Sequence, residues 1–323
     1  MHLEHASLFH NPNSISTLNG VYVSSVDHQL SENQAQTNNA FSEKWTNTHQ
    51  QDTDSATWKL HQFEWYMTLY GFEDEQHLQR WISKRRVILD AGCGLGYKAA
   101  WFAKMNPEAI VVAMDYSDSI FQAHERYQGQ PNMIFVKGDI ANTHFKDGLF
   151  DFINCDQVLH HTDSPPKTLK EFHRISSQDV YLNTYVYKKK ALPRELLDEY
   201  FREYSKQLDN EQIWELSKQL TQLGKTLTDL NITIDVPDIP ALGIKGGKQN
   251  LQRFFYWNFI KCFWNENLGL ETSINCNFDW YSPSNAWRYS QQEFLDMLEE
   301  TGFKSEYLHC EEACHSGRFV KQN

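Results

Sequence analysis

No run of about 18 consecutive apolar residues occurs in this 323-residue chain, which leaves no candidate for a helical membrane span. The first residues lack the charged-then-apolar pattern of a secretory signal. Positive charge is scarce: 30 Lys and Arg stand against 42 Asp and Glu, a formal net charge of -12. A surface of that sign repels phosphate backbones, so neither nucleic acid nor an anionic membrane is expected as a partner. The one tight basic run, Lys188-Lys189-Lys190, reads as a solvated loop. Cysteine is sparse too. Cys93, Cys155, Cys262, Cys276, Cys310 and Cys314 form no disulfide framework, which fits a reduced, cytoplasmic setting. Cys310, Cys314 and His315 make a single short cluster without a second ligand pair, so no metal is expected.

What is present is an ordinary globular composition, 40% hydrophobic and 22% charged. The length suits one large domain with additions, or two small ones. Residues 1–40 are rich in Asn, Ser, Gln and His and are expected to be a loosely ordered or extended arm. From Phe41 aromatic residues become dense. Leu60, Phe63, Tyr66, Met67 and Tyr70 follow helical spacing, and that helix either packs on the main domain or helps cover its ligand pocket.

The middle of the chain alternates strand and helix. Short apolar strands are expected at residues 86–90, 109–114, 133–136, 150–155 and 179–187, with helices at 97–105, 117–127 and 167–175 between them. Apolar strands without alternation, separated by helices, imply a parallel sheet covered on both faces. After Tyr187 the rhythm changes to long charged helical periods, a Pro- and Gly-broken stretch and an aromatic tract. Ser290, with Glu293 three residues on, opens a capped helix that Gly302 stops, and a closing strand pair follows. The expected division is an N-terminal arm and helical cover at 1–75, a nucleoside-binding core at 76–187, a mainly helical lid insertion at 188–289, and a returning helix and strand pair at 290–323.

The run Val87-Ile88-Leu89-Asp90-Ala91-Gly92-Cys93-Gly94-Leu95-Gly96-Tyr97 carries the chemistry. A strand delivers the chain to a tight turn that opens a helix. Glycine lets backbone approach a ligand, and the first helical amides have no partners inside the helix. Asp90 at the strand end can accept hydrogen bonds from an ammonium group. A dinucleotide fold would instead need G-x-G-x-x-G, and Tyr97 stands at its third glycine position. Asp115 after the second strand suits a ribose in either case.

This run resembles the first motif of class I S-adenosylmethionine-dependent methyltransferases. The resemblance covers residues 86–187 and, more loosely, 290–320. It implies an α/β fold with a seven-stranded, mostly parallel, doubly wound sheet. It implies S-adenosylmethionine as cofactor, held by Asp90, Gly92, Cys93, Gly94 and Gly96 at the turn and by Asp115 and Tyr116 at the ribose. Asp139 would take the adenine amino group, Ile140 would pack on its ring, and Asp156 and Gln157 would face the cofactor together with Asn154 and Cys155. Phe41 and Trp45, and the tract Phe278–Pro283, resemble segments of the same group. The expected reaction is in-line methyl transfer to a small organic acceptor, a natural-product or sugar-type intermediate.

His160 and His161 are the candidate general bases, because an imidazole titrates near neutral pH. Being adjacent, they point apart, and the apolar Val158-Leu159 favours His161 as the one facing the pocket. Tyr281, Trp280 and Trp287 are candidate acceptor contacts. A nicotinamide-dependent enzyme, another user of the same cofactor and a non-catalytic binding module are the alternative readings. The sequence does not fix the oligomeric state; a homodimer is compatible with it.

Overall fold

The computed structural model describes residues 5–24, 30–50 and 56–322. Strands β1 (Ile15–Leu18) and β2 (Val21–Ser24) form a hairpin about Asn19-Gly20. Both turn residues have positive φ, the backbone of a tight I′ turn. Helices α1 (Glu32–Gln50), α2 (Ala56–Tyr70) and α3 (Glu75–Ile82) follow. The alternating unit then runs β3 (Val87–Ala91), α4 (Tyr97–Met105), β4 (Ile110–Asp115), α5 (Ser119–Tyr127), β5 (Met133–Lys137), β6 (Phe150–Cys155), α6 (Pro165–Ile175) and β7 (Ser176–Lys188). Next come α7 (Leu192–Ser205), α8 (Asn210–Asp229), a small hairpin of β8 (Thr233–Val236) and β9 (Gly247–Asn250), α9 (Leu251–Asn258) and α10 (Gly269–Tyr281). The short β10 (Arg288–Tyr289), α11 (Gln291–Glu300), β11 (Phe303–Cys310) and β12 (Cys314–Lys321) complete the described chain. No helix among the described residues is long and apolar enough to cross a membrane.

Among the described residues the main sheet has ten strands, in the order β1-β2-β5-β4-β3-β6-β7-β12-β11, with β10 beside β7. The stretch from β5 to β11 is the expected seven-stranded sheet; β1, β2 and β10 are additions to it. The strands from β2 to β7 run parallel, β12 lies antiparallel to β7, and β11, antiparallel to β12, runs again in the common direction. Successive residues of β3 bury opposite faces. Ile88 packs with Val111, Phe152, Phe102 and Tyr66, while Leu89 packs with Val112, Ile153, Phe172 and Phe294. Burial of each such side chain contributes about 1.5–3 kcal/mol. With helices on both faces no polar face is needed, which is why the strands read as apolar runs.

The expectation of a loosely ordered stretch over residues 1–40 is corrected where the structure describes it; residues 1–4 and 25–29 lie outside the described residues. The β1–β2 hairpin joins the sheet through Tyr22 and Val23, which pair with Val136 and Lys137 of β5. Phe9 stacks on Phe145 with ring centroids 4.9 Å apart. Residues 32–40 begin α1. The charged period over 192–224 divides into two helices, because Asp209 forms a reciprocal cap with Gln212 and starts α8 anew.

Helix α8 packs against the segment after α9 through Gly224. A Cβ there would lie 2.3 Å from the Cys262 carbonyl oxygen. Gly224→Ala is therefore expected to lower stability by about 1–3 kcal/mol through overpacking, despite alanine's better helix propensity. A lowered urea midpoint checks this; an unchanged or raised midpoint contradicts the close contact.

Candidate active site

The sheet order reverses direction at β3. The chain passes outward through β4 and β5, then returns to place β6 on the other side of β3. Open parallel sheets hold ligands in the crevice at the carboxyl ends of strands flanking such a point. A cavity of about 500 Å³ lies there, in the range of roughly 300–1,000 Å³ usual for small-molecule sites. Its lining includes Asp90, Gly92, Cys93, Gly94, Asp115, Tyr116, Asp139, Ile140, Asp156, Gln157, His161 and Trp280.

The turn after β3 is fixed by the amides of Gly92 and Cys93, which donate to the Met114 carbonyl at 2.8 and 3.0 Å. Gly92, Gly94 and Gly96 have φ of 77°, 53° and 78°. All three positions are also crowded by protein, Gly96 by Ala123 at 3.1 Å from a Cβ there. A Cβ at Gly92 would lie 2.5 Å from Val158, and one at Gly94 would lie 3.0 Å from Trp45. Gly96 caps α4 without a side chain. Tyr97, the residue that departs from the dinucleotide pattern, lines the cavity, and its hydroxyl accepts from Arg126 at 2.7 Å.

Three neighbouring strands place Asp90, Asn154 and Asn183 side by side in register. Asn154 Nδ2 donates to Asp90 Oδ1 at 2.7 Å, Tyr66 donates to Asn154 Oδ1 at 2.9 Å, and Asn183 Nδ2 donates to the Tyr66 hydroxyl at 2.8 Å. Asp90 Oδ2 is buried and makes no well-formed hydrogen bond among the described residues, although the Ala99 amide of α4 lies near enough to act on the carboxylate. Desolvation raises the Asp90 carboxyl to about 6 against the opposing effects of Asn154 and Lys98. Asn154 and Cys155, expected to face the ligand, lie buried behind it; Asn154 acts on the site only through Asp90.

Asp115 is partly engaged by the chain itself. Oδ2 accepts from the Gly94 amide at 2.7 Å, and Oδ1 accepts from the Ser117 amide and hydroxyl at 2.8 and 2.6 Å. About three of the carboxylate's four lone-pair sites are thus filled. Burial raises its pKa, and these donors oppose that rise. Asp139 shapes its own turn by accepting from the Ala141 amide at 2.8 Å, and still borders the cavity. Asp156 accepts from Tyr70 at 2.6 Å and is ion-paired with Lys98. Gln157 holds φ of 63°, a left-handed conformation that costs a non-glycine residue of order 1–3 kcal/mol.

The two histidines separate as their adjacency requires. His161 lines the cavity; His160 is fully buried, with Nδ1 3.3 Å from the Tyr185 carbonyl and Nε2 unpartnered. His161 Nδ1 is 2.7 Å from the Asn285 carbonyl, so Nδ1 carries the proton in the neutral ring and Nε2 is the acceptor. Desolvation pulls the His161 pKa down to about 4. Of the three aromatic candidates only Trp280 lines the cavity. Tyr281 is buried in the helical layer and donates to Asp198 at 3.2 Å. Trp287 is 47% exposed, with its indole N–H on the Thr162 carbonyl.

Two walls of the cavity, from segments expected as cover and lid, carry residues that sequence reasoning did not assign to the site. Helix α1 supplies Thr37, Asn38, Phe41, Lys44 and Trp45. Phe41 meets the His161 ring edge-on at 4.8 Å, and Lys44 pairs with Asp279 at 2.6 Å. The aromatic pair Phe41 and Trp45 was the available signal. The second wall carries Lys190, Arg194, Arg253 and Lys261. Lys190 is not the solvated residue expected of a basic run. Its ammonium donates to the Glu312 and Ala313 carbonyls at 2.6 and 3.0 Å. Among the described residues no group of three or more His, Cys, Asp or Glu side chains is arranged to hold a metal ion.

A doubly wound sheet, a glycine turn at its switch point and acidic residues at or just after the ends of β3, β4 and β5 make up the fold expected of a class I S-adenosylmethionine-dependent methyltransferase core. Residues 89–183 match the family described as a methyltransferase domain. Malonyl-[acyl-carrier protein] O-methyltransferase of Legionella pneumophila is 33% identical over 105 residues, covering 32% of this chain and 36% of that protein. A probable methyltransferase of Aspergillus luteorubrus, ltbC, is 25% identical over 181 residues, covering 52% of this chain and 58% of its own length. The chain thus spans well under two thirds of these relatives. Among solved structures, PKMT2 from Rickettsia typhi aligns with a TM-score of 0.52 at 14% identity, over 76% of this chain and 52% of that one, a likeness of fold.

Because His161 is held neutral, its folded pKa of about 4 lies below the unfolded value. The unfolded chain takes up the proton first as pH falls, so stability from this group is complete above about pH 6.5 and is lost between there and pH 4. The advantage of the native protein over His161→Gln in urea midpoint is expected to shrink over that window, by on the order of 3 kcal/mol in unfolding free energy. A difference that stays constant with pH contradicts the neutral, buried ring.

Proposed function

We propose that this chain transfers a methyl group from S-adenosylmethionine to a small organic acceptor, a natural-product or sugar-type intermediate. The carrying observation is the unpartnered Asp90 Oδ2, buried at the cavity beside the glycine turn. A bare buried carboxylate oxygen is costly unless a donor meets it, and an ammonium group supplies one. Asp115 retains room for about one ribose hydroxyl donor; a second would displace Ser117. Asp139 and Ile140 are assigned to the adenine, and Asp156, held by Lys98 and Tyr70, braces the strand end opposite.

When bound there, S-adenosylmethionine supplies an activated methyl electrophile, which needs no metal. The chain's own part is to orient the acceptor and exclude water, which can contribute several kcal/mol. Phe41 and Trp45 of α1 close one side, and residues 188–289 act as the lid on another. In this reading residues 1–75 are the cover, 76–187 the cofactor core and 290–323 its closing segment. His161 Nε2 is the acceptor atom for a proton leaving the nucleophile. With a pKa of about 4 it is a weak base. It therefore suits an acceptor whose nucleophile is itself acidic, not a hydroxyl of ordinary basicity.

Asp90→Asn keeps the shape and turns an amide N–H₂ toward the ammonium. S-adenosylhomocysteine affinity by calorimetry is expected to fall about 10- to 100-fold, the equivalent of one charge-assisted hydrogen bond. The empty variant should be at least as heat-stable as the native protein at pH 7. Undiminished affinity overturns the placement. Because burial raises the Asp90 carboxyl of the empty protein to about 6 and the ammonium needs its ionised form, native affinity should weaken about fivefold from pH 6 to pH 5. A flat profile there would mean that another group receives the ammonium.

A further inference from the structure

The floor and the helical wall of the cavity differ in sign. The floor is formed by the carboxylates at the strand ends. The wall, in a protein of net charge -12, gathers cations around one indole. Lys261 Nζ lies 4.6 Å from the Trp280 ring centroid, the Arg194 guanidinium 5.0 Å and Lys190 Nζ 6.0 Å. The Arg253 guanidinium lies 5.5 Å from the neighbouring Tyr256 ring.

Of the acids nearby, Asp198 is committed, while Asp279 keeps one buried oxygen, Oδ1, without a hydrogen-bond partner among the described residues. Asp198 accepts from Arg194 Nε at 2.7 Å, from the Trp280 indole at 2.9 Å and from Tyr281 at 3.2 Å. Asp279 is paired with Lys44. Lys190 has only carbonyl acceptors, and the charged ends of Lys261 and Arg253 have no hydrogen-bond or ion-pair partner among the described residues. A charge drawn into a protein wall without a partner forfeits part of its hydration, as at Lys261, whose side chain is buried while Arg253 is only partly so. Here like charges also face one another, and burial with Arg194 nearby pulls the Lys190 and Lys261 ammonium groups down to about 7 and about 8. A wall of this kind is relieved by an anion.

Resting on the methyl-transfer reading, we propose that this wall is the acceptor's anion subsite: the acceptor bears a carboxylate or phosphate, received by Lys261, Arg253 and Lys190, on a flat apolar body that lies against Trp280. Both anion types offer oxygen acceptors to ammonium and guanidinium donors, and the indole face gives the attached body its contact.

The test is calorimetry on the full chain saturated with S-adenosylhomocysteine, using benzoate and phenyl phosphate against the neutral benzamide and phenol. The anionic probes are expected to bind at least about tenfold more tightly than their neutral partners. The stronger of the two identifies which anion the subsite takes. Lys261→Met should remove most of that preference and Lys261→Arg should retain it, with heat stability and S-adenosylhomocysteine affinity unchanged in both. Should Lys261→Met fail to fold, Arg253→Met, on a partly exposed residue, gives the same readout. Equal binding of anionic and neutral probes, a full preference in the Met variants, or no anion binding at millimolar ligand overturns the proposal. Loss of S-adenosylhomocysteine binding with anion preference intact would instead overturn the methyl-transfer reading alone.

Discussion

The hydrogen bond from Asn154 to Asp90 constrains everything built above the sheet. It joins two strands at the point where the winding reverses, and it is itself anchored through Tyr66 to Asn183 on a third strand. Because all of these groups are buried, each must find its partner inside the protein. The chain of donors satisfies one oxygen of Asp90 and leaves the other bare. That imbalance leaves the empty protein short of its best-satisfied state. The left-handed Gln157, one residue beyond Asp156, is a second local strain at the same sheet edge. Sites that must bind are often kept short of their best packing in this way.

The helical additions turn this crevice into a chamber. Helix α1 brings Trp45 over Gly94 and Phe41 against His161, so a segment far from the glycine turn in sequence forms its ceiling. Opposite it, β7 runs on past the sheet edge and delivers Lys190 to the indole of Trp280. With carboxylates below and cations above, a ligand with separated charges has a preferred orientation before any base or acid acts. Low dielectric inside such a chamber strengthens that preference.

Much of the core was legible because its physics is local and repetitive. Ile88 and Leu89 are both apolar because both faces of β3 are buried, and that run is visible without knowing its neighbours. The cap of α11 was equally plain, since Ser290 and Glu293 satisfy each other's backbone within one turn. The hairpin at residues 15–24 was not, because it holds to β5 by only two residues and its own strands are four long. The direction of Asn154 was misjudged: a strand-end position does not reveal whether the side chain faces the ligand or the layer behind it. Tyr281 and Trp287 read as ligand contacts by type, but tertiary packing sent one into the helical layer and the other to the surface. The basic run at 188–190 was misread for the same reason. Lys188 and Lys189 pair with Glu312 and Glu293, while Lys190 turns inward, and charge alone does not distinguish them.

The hairpin of β1 and β2 has a bearing on solubility. Without it, β5 would end the sheet with a row of unpaired backbone groups along an apolar strand, a template for another chain. With it, the outermost strand is only four residues long and mostly exposed. At the far side the sheet ends on β11, whose Lys304 and Glu306 face solvent. One border is short and the other carries charge, so these two edges offer little purchase for edge-to-edge growth into fibrils.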